Sequence, residues 1–290
     1  MEATYRSVGF LQEVWQLARE AGDAILAVYN RSDLGTRQKA DDSPVTDADL
    51  ASQAIIDRGL QALSPDIPRL SEETAQASYA ERRAWKRFWL VDPLDGTKEF
   101  VHRRDEFTVN IALIEDGRPK LGVVFAPALG YGFVGSVGDG AWRLDLVGDV
   151  VDGDLVHGEI QERPIRVAES TASEPKILVS YSHPSEALTR YLEHLPPHAL
   201  VSMGSSLKFC RLAEGEADFY PRLGPTMEWD TGAAQAVLEA AGGRVLEFSG
   251  EALTYNRESL KNPHFVAVGP SDFPWQSAWQ AMDTAVGVED

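Results

Sequence analysis

Residues 88 to 100 read FWLVDPLDGTKEF. An apolar strand runs into two aspartates, a proline, a glycine and a threonine. Proline removes a backbone donor and ends pairing, and glycine permits a tight turn and close approach of a ligand to the backbone. Asp92 and Asp95, three residues apart across such a bend, can converge on one point. Converged carboxylates repel each other unless a cation lies between them. Oxygen-only donors suit a hard ion such as Mg²⁺, which binds a few carboxylates together with water and substrate phosphate. The Gly96-Thr97 turn adds backbone N–H groups that can face an anion, and the Thr97 hydroxyl can hold a water. On its own, D-P-x-D-G-T serves equally well as an ordinary acidic turn.

The wider set changes the balance. Asp47 and Asp49 open one apolar-periodic segment, Glu72 and Glu73 follow a short strand-like piece, and Asp230 stands in EWDTG. Taken singly, Asp230 is no more than a candidate helix cap. Each pair sits at the edge of an element, where sites are normally built. Together they point to a Mg²⁺-dependent site acting on phosphate. The histidines, at 102, 157, 183, 194, 198 and 264, lack metal-ligand spacing, which argues against zinc or non-haem iron. Neither a G-x-S-x-G nor a Walker motif occurs. The lone Cys210 excludes an internal disulfide and reads as a small buried hydrophobe.

These residues need elements to position them. Apolar spacing predicts a helix over 8–30, a loop over 31–43, and a second helix from an N-cap at Thr46 to Ser64-Pro65. Short strands IPRL and FWLVD precede a meander, TVNIALI, KLGVVFAP, YGFVGSV and GAWRL, broken by Asp116-Gly117 and Asp139-Gly140. Residues 145–163 are acidic and read as a surface excursion between lobes. The second half alternates strand and helix: KILVSYS, a helix from Ser185 to about Glu193, VSMGSS, a helix around SLKFCRLAEG, ADFYPRL, a helix over TGAAQAVLEAAGG, then RVLEF and FVAVG. The pattern is α/β, a single domain with an N-terminal lobe over about 8–163 and a C-terminal lobe over about 164–270. A 43% hydrophobic content across 290 residues is enough for a sizeable core. A net charge of −18 disfavours nucleic acid as a partner. The N-terminus lacks a signal-peptide pattern, and no apolar run approaches the ~20 residues of a membrane helix, so a cytoplasmic setting is expected.

VDPLDGT together with EWDTGAAQAVLEAAGG resembles the two signatures of the inositol monophosphatase superfamily of Mg²⁺-dependent, lithium-sensitive phosphatases. SPVTDADLASQAII and LSEET are similar to two further motifs of that superfamily, and the likeness spans about residues 10–270. Within it, Lys98-Glu99-Phe100, GSSLKFC and YNRESLKNPHF look like the 3'(2'),5'-bisphosphate nucleotidase branch, whose members remove the 3'-phosphate of adenosine 3',5'-bisphosphate (PAP), a by-product of sulfate assimilation. The resemblance implies a layered α-β-α-β-α fold and two or three Mg²⁺ ions. It implies Glu72, Asp92, the Leu94 carbonyl, Asp95 and Asp230 as metal ligands facing the substrate. Asp49 and Thr97 would orient the attacking water, and Gly96 and Thr97 would hold the phosphate. His183, Ser205, Lys208 and Arg222 would grip the nucleotide and its second phosphate, with Ser205 and Lys208 near a helix start. Two departures are LVGDVVDGDLVHGEI, which looks like an insertion, and Gly232-Ala233-Ala234, where Ala-Ala-Gly is more usual. Oligomeric state is left open, and peripheral contact with the inner membrane is reported for family members. Alternatives are another sugar- or inositol-phosphate phosphatase and a non-catalytic protein that binds PAP or Mg²⁺.

Overall fold

The computed structural model describes residues 8–286 apart from 39–43, 75, 149, 152, 153, 156–158, 182–184, 270 and 271. His183 therefore lies outside the described residues. The chain opens with helix α1 (Leu11–Tyr29), the two-residue strands β1 (Arg37–Gln38) and β2 (Pro44–Val45), and helix α2 (Asp47–Leu63). Strand β3 (Arg69–Ser71), the short helix α3 (Tyr79–Arg82), strand β4 (Arg87–Asp95) and the short helix α4 (Thr97–Val101) follow. The meander is β5 (Thr108–Glu115), β6 (Arg118–Ala126), β7 (Tyr131–Ser136) and β8 (Gly140–Val147). After β9 (Val150–Val151), β10 (Asp154–Leu155) and β11 (Glu159–Ile165), the second half comprises β12 (Lys176–Val179), α5 (Glu186–Glu193), β13 (Ala199–Ser202), α6 (Leu207–Ala213), β14 (Phe219–Arg222), α7 (Gly232–Ala240), β15 (Arg244–Glu247), β16 (Phe265–Val268) and α8 (Trp275–Val286).

Strands β11-β8-β7-β6-β5-β4-β3 form a seven-stranded sheet, antiparallel except where β3 runs parallel to β4. A second, mixed sheet has the order β13-β12-β14-β16-β15. Alternation along the strands divides the apolar side chains between layers. Trp89, Val91, Ile111, Val123 and Phe125 face α1 and α2. Leu90, Ala112, Val124 and Phe133 face the other way, into a core shared with α6, α7 and residues Tyr220, Phe265 and Ala267 of the second sheet. Ile177, Phe219, Val266 and Val268 then pack against Tyr191 of α5 and Trp275 and Ala278 of α8. The result is the layered α-β-α-β-α arrangement of the sequence reading.

Two points differ from that reading. The surface excursion read over 145–163 carries strands: β8 and β11 pair in register from Ala141↔Ile165 to Val147↔Glu159, and β9 pairs antiparallel with β10. Exposed faces on an edge ribbon need few apolar residues, so the segment is poor in core positions although it forms strands. Helix α8 was not anticipated. Its Trp275 and Ala278 are buried, but the segment follows a Pro-rich stretch and is too short to show a long apolar repeat.

The central helix α7 sits close to the first sheet because small residues face it. A Cβ added at Gly122 would lie 2.1 Å from the Ala233 carbonyl oxygen. Gly122→Ala is therefore expected to destabilise the fold by about 3 kcal/mol, read as a fall in urea midpoint.

Candidate active site

The site forms where β4 stops. Strand β4 pairs Asp92 with Asn110 and Asp95 with Thr108, so its register with β5 slips between the two aspartates. Such a bulge bends the strand and re-aims its side chains. Pro93 lies in the bulge, and its carbonyl accepts a 2.7 Å hydrogen bond from Ser52 Oγ of α2. The Leu94 amide donates to Asp92 Oδ1 at 3.0 Å. Gly96 then takes φ +89°, a conformation that L-residues avoid, and α4 begins at Thr97. The crowded turn of the sequence is thus a bulged strand end leading directly into a helical turn.

Helix α2 delivers the next group. Thr46 and Asp49 cap it reciprocally: Ala48 N donates to Thr46 Oγ1 at 3.2 Å, and Thr46 N and Oγ1 donate to Asp49 Oδ2 at 2.8 and 2.6 Å. Fixed in this way, Asp49 leaves its other oxygen to Thr97, whose Oγ1 stands 3.3 Å from Asp49 Oδ1 and 3.3 Å from the Leu94 carbonyl oxygen. Burial raises the Asp49 carboxyl above its ordinary range; the Thr46 hydrogen bonds oppose this, and nearby Glu73 adds to it. Asp47, by contrast, turns away to pair with Arg37 at 2.7 Å.

Glu72, Asp92, Leu94, Asp95, Gly96, Thr97 and Asp230 line one cavity of about 630 Å³. Asp92 is buried, and its carboxyl is pushed well above the usual range by burial, then by Glu72, Asp95 and Asp230. Asp230 is pushed up to about 8, by burial first and then by Asp95, with Glu72 contributing further. Among the described residues no group of three His, Cys, Asp or Glu side chains is placed closely enough to hold a metal ion; the carboxylates line a common cavity and would have to turn onto a cation. A donor set made only of carboxylates plus a backbone carbonyl, with Asp92 and Asp230 held above the usual range by burial and by their acidic neighbours, fits a hard divalent ion.

Sequence reasoning did not single out the groups that steady this set. Ser206 Oγ lies 2.8 Å from Asp95 Oδ2 and 2.9 Å from the Asp230 carbonyl oxygen. Asn110 Nδ2 donates to Ser206 Oγ at 2.8 Å. A polar residue in the middle of TVNIALI, a strand otherwise apolar or β-branched, was the available signal. Glu228, fully buried two residues before Asp230, accepts the amides of Asn256 and Arg257 at 2.8 and 3.0 Å.

A second, smaller cavity of about 190 Å³ adjoins the first and shares Asp95, Gly96, Lys98, Glu99, Thr226 and Asp230 with it. Its further lining includes Ser205, Lys208, Tyr220 and Arg222. Helix α6 starts two residues after Ser205, which takes φ +44° and whose buried hydroxyl has no partner among the described residues. Lys208 is buried; its ammonium donates to the carbonyls of Met203 and Ser205 at 3.1 and 2.7 Å and lies 5.4 Å from the Tyr220 ring centre. Burial lowers its pKa to about 8. Arg222 donates to Ser180 Oγ at 2.7 Å and to the Pro225 carbonyl at 3.0 Å. The acidic cavity therefore opens onto one that adds Lys208 and Arg222 to the shared carboxylates.

Comparison with known proteins shows the family. Residues 10–277 match the model of the inositol monophosphatase family. The chain is 49% identical over 257 residues to the 3'(2'),5'-bisphosphate nucleotidase CysQ of Salmonella typhimurium, covering 88% of this chain and 98% of the relative. It is 37% identical to CysQ of Haemophilus influenzae, over 93% of this chain and 96% of that one. Among solved structures, CysQ from Bacteroides thetaiotaomicron superposes with a TM-score of 0.76 at 36% identity, covering 90% and 97% of the two chains. The inositol monophosphatase of Thermotoga maritima, at 24% identity and a TM-score of 0.73, shares the fold. By sequence along nearly its whole length, by layered fold and by the carboxylates gathered at the bulged end of β4, the chain belongs to the inositol monophosphatase family of metal-dependent phosphatases.

Proposed function

We propose that this chain hydrolyses the 3'-phosphate of adenosine 3',5'-bisphosphate, giving AMP and phosphate, with Mg²⁺ as its cofactor. The observation that carries the reading is the pair of joined cavities: carboxylates for metal and scissile phosphate in one, Lys208 and Arg222 for a second phosphate in the other. The similar proteins named 3'(2'),5'-bisphosphate nucleotidase support it.

Glu72, Asp92, the Leu94 carbonyl, Asp95 and Asp230 would hold the Mg²⁺, two or three ions in all. When bound, the metal acidifies water and neutralises charge on the phosphoryl and leaving oxygens. The chain supplies the rest. Thr97 Oγ1, held between Asp49 and the Leu94 carbonyl, accepts a proton from the attacking water and passes its own to Asp49 Oδ1. The bond from water oxygen to phosphorus forms as the bond to the ribose 3'-oxygen breaks, and that oxygen takes up a proton. Backbone N–H groups of Gly96 and Thr97 face the phosphoryl group. Ser205, Lys208 and Arg222 hold the second phosphate, with Ser205 offering a hydroxyl that has no partner among the described residues.

Lys208→Met is expected to raise KM for PAP ~10–100-fold while leaving KM for adenosine 3'-monophosphate nearly unchanged, since only the bisphosphate uses that pole. With a free-enzyme pKa of about 8, Lys208 loses its charge as pH rises through that value. KM for PAP should climb above it in the wild type and stay flat in the variant. The function itself is tested by phosphate release from PAP, inositol 1-phosphate and fructose 1,6-bisphosphate, with Mg²⁺, with EDTA, and with Mg²⁺ plus lithium. The reading requires Mg²⁺-dependent, lithium-sensitive turnover with PAP far ahead. A preference for the inositol or sugar phosphate would keep the metal chemistry and overturn the role of Lys208. No release from any of them would favour binding without catalysis.

A further inference from the structure

The loop after β15 brings one more cation to the acidic cavity. Lys261 lines the larger cavity and not the smaller. It lies in YNRESLKNPHF, a stretch that supplied family likeness but no assigned role. Its backbone is held firmly. Lys261 forms an antiparallel bridge with Met227, flanked by Glu228 N to Leu260 O at 2.8 Å and Asn262 N to Thr226 O at 2.8 Å. Asn262 Nδ2 donates to the Met227 carbonyl at 2.7 Å, and Arg257 Nη2 donates to the Lys261 carbonyl at 3.2 Å. Beneath the loop, Arg82 donates to the carbonyls of Arg257 and Glu258. Lys261 is thus tied to the same short segment, residues 226–230, that delivers Asp230.

The side chain is the opposite case. Lys261 is exposed, and no hydrogen bond or ion pair of its ammonium occurs among the described residues, even with Glu72, Asp92 and Asp230 on the same cavity wall. Of the neighbouring cations, Arg82 and Arg257 are committed to the loop, Lys208 and Arg222 face the smaller cavity, and Lys98 lines both cavities. An ammonium on a fixed backbone, free to swing over a cavity built for metal and phosphate, is available to a ligand anion.

We infer that Lys261 is a substrate-contact residue for the phosphoryl group that is transferred, pairing with one of its non-bridging oxygens and with the phosphate dianion after cleavage. This rests on the phosphatase reading above. It makes a pattern that Lys208 does not. Lys208 serves only substrates with a second phosphate, whereas Lys261 acts on any substrate and on the product.

The experiment compares wild type, Lys261→Met and Lys261→Arg with Mg²⁺ present. It measures calorimetric binding of inorganic phosphate and KM for PAP and for adenosine 3'-monophosphate. Lys261→Met should weaken phosphate binding ~10-fold, about 1.4 kcal/mol. It should raise both KM values by a similar factor, with Lys261→Arg recovering most of the loss. Melting temperature should hold, since only backbone atoms of Lys261 tie the loop. Phosphate binding that is undetectable in the wild type, or equal in wild type and Lys261→Met, overturns the assignment. Weakened phosphate binding in a protein that does not hydrolyse PAP would leave Lys261 standing and remove the substrate reading instead.

Discussion

Stripped of divalent ions, Asp92→Asn protein should unfold at a higher temperature than the wild type; with Mg²⁺ restored, it should turn over roughly 10³-fold or more slowly than the wild type. Asp92 is buried, and Glu72, Asp95 and Asp230 all oppose its ionisation. Asparagine keeps the size and can still accept the Leu94 amide, but it removes the charge. Relief of an unbalanced buried carboxylate gives about 1–2 kcal/mol, roughly 2–6 °C in melting temperature. The sign of the pH effect follows. The Asp92 and Asp230 carboxyls are raised, so the metal-free folded state holds protons that the unfolded chain has already released. Metal-free stability therefore falls as pH rises from the ordinary carboxylate range towards the Asp230 value of about 8. Mg²⁺ binding must expel those protons, so the stabilisation it brings grows over the same window. Melting curves at pH 5.5 and pH 8, with Mg²⁺ and with EDTA, measure all of this. A metal-free Asp92→Asn protein less stable than wild type at pH 8 would show that the carboxylates are not in conflict.

Thr97→Val should lower kcat ~10²–10³-fold with little change in KM for PAP. Valine has nearly the same shape, and α4 needs only the backbone of residue 97. The hydroxyl lies 3.3 Å from both Asp49 Oδ1 and the Leu94 carbonyl oxygen, so its loss removes the proton path and leaves the phosphate cradle. Asp49→Asn should cost a similar factor in kcat, and the double variant little more than either single one, because the two act as a unit. Asp49 also caps α2 through Thr46, so that variant should lose about 1 kcal/mol of stability, a loss Thr97→Val should not show. Single-turnover kinetics beside thermal melts separate the two effects. Independent, multiplying losses in the double variant would break the proposed relay.

Much of the site could be read from the chain. The turn chemistry at Asp92–Thr97, the N-cap at Thr46 and the apolar face of α1 are local features, set by backbone chemistry and periodicity within a few residues, although β4 itself runs on through the bulge to Asp95. Glycine pairs marked the end of α7, where Gly242 takes φ +99°. What was not legible depends on contacts made across the fold. Ser206 and Asn110 meet Asp95 from 111 and 15 residues away, and nothing in their own neighbourhoods forces that meeting. Glu228, two residues before Asp230, holds a loop nearly thirty residues on, at Asn256 and Arg257. The 145–163 ribbon carried few apolar residues because it sits at a sheet edge, so a composition-based reading missed its strands.

The most direct test of the central claim is the identity of the products formed from PAP. Chromatography and phosphorus NMR on a Mg²⁺-supplemented reaction should show adenosine 5'-monophosphate and inorganic phosphate in equal amounts, with no product when EDTA is present. Accumulation of adenosine 3'-monophosphate would mean that the carboxylate cavity takes the other phosphate and that Lys208 and Arg222 do not hold it. An unchanged substrate would contradict the hydrolytic reading altogether.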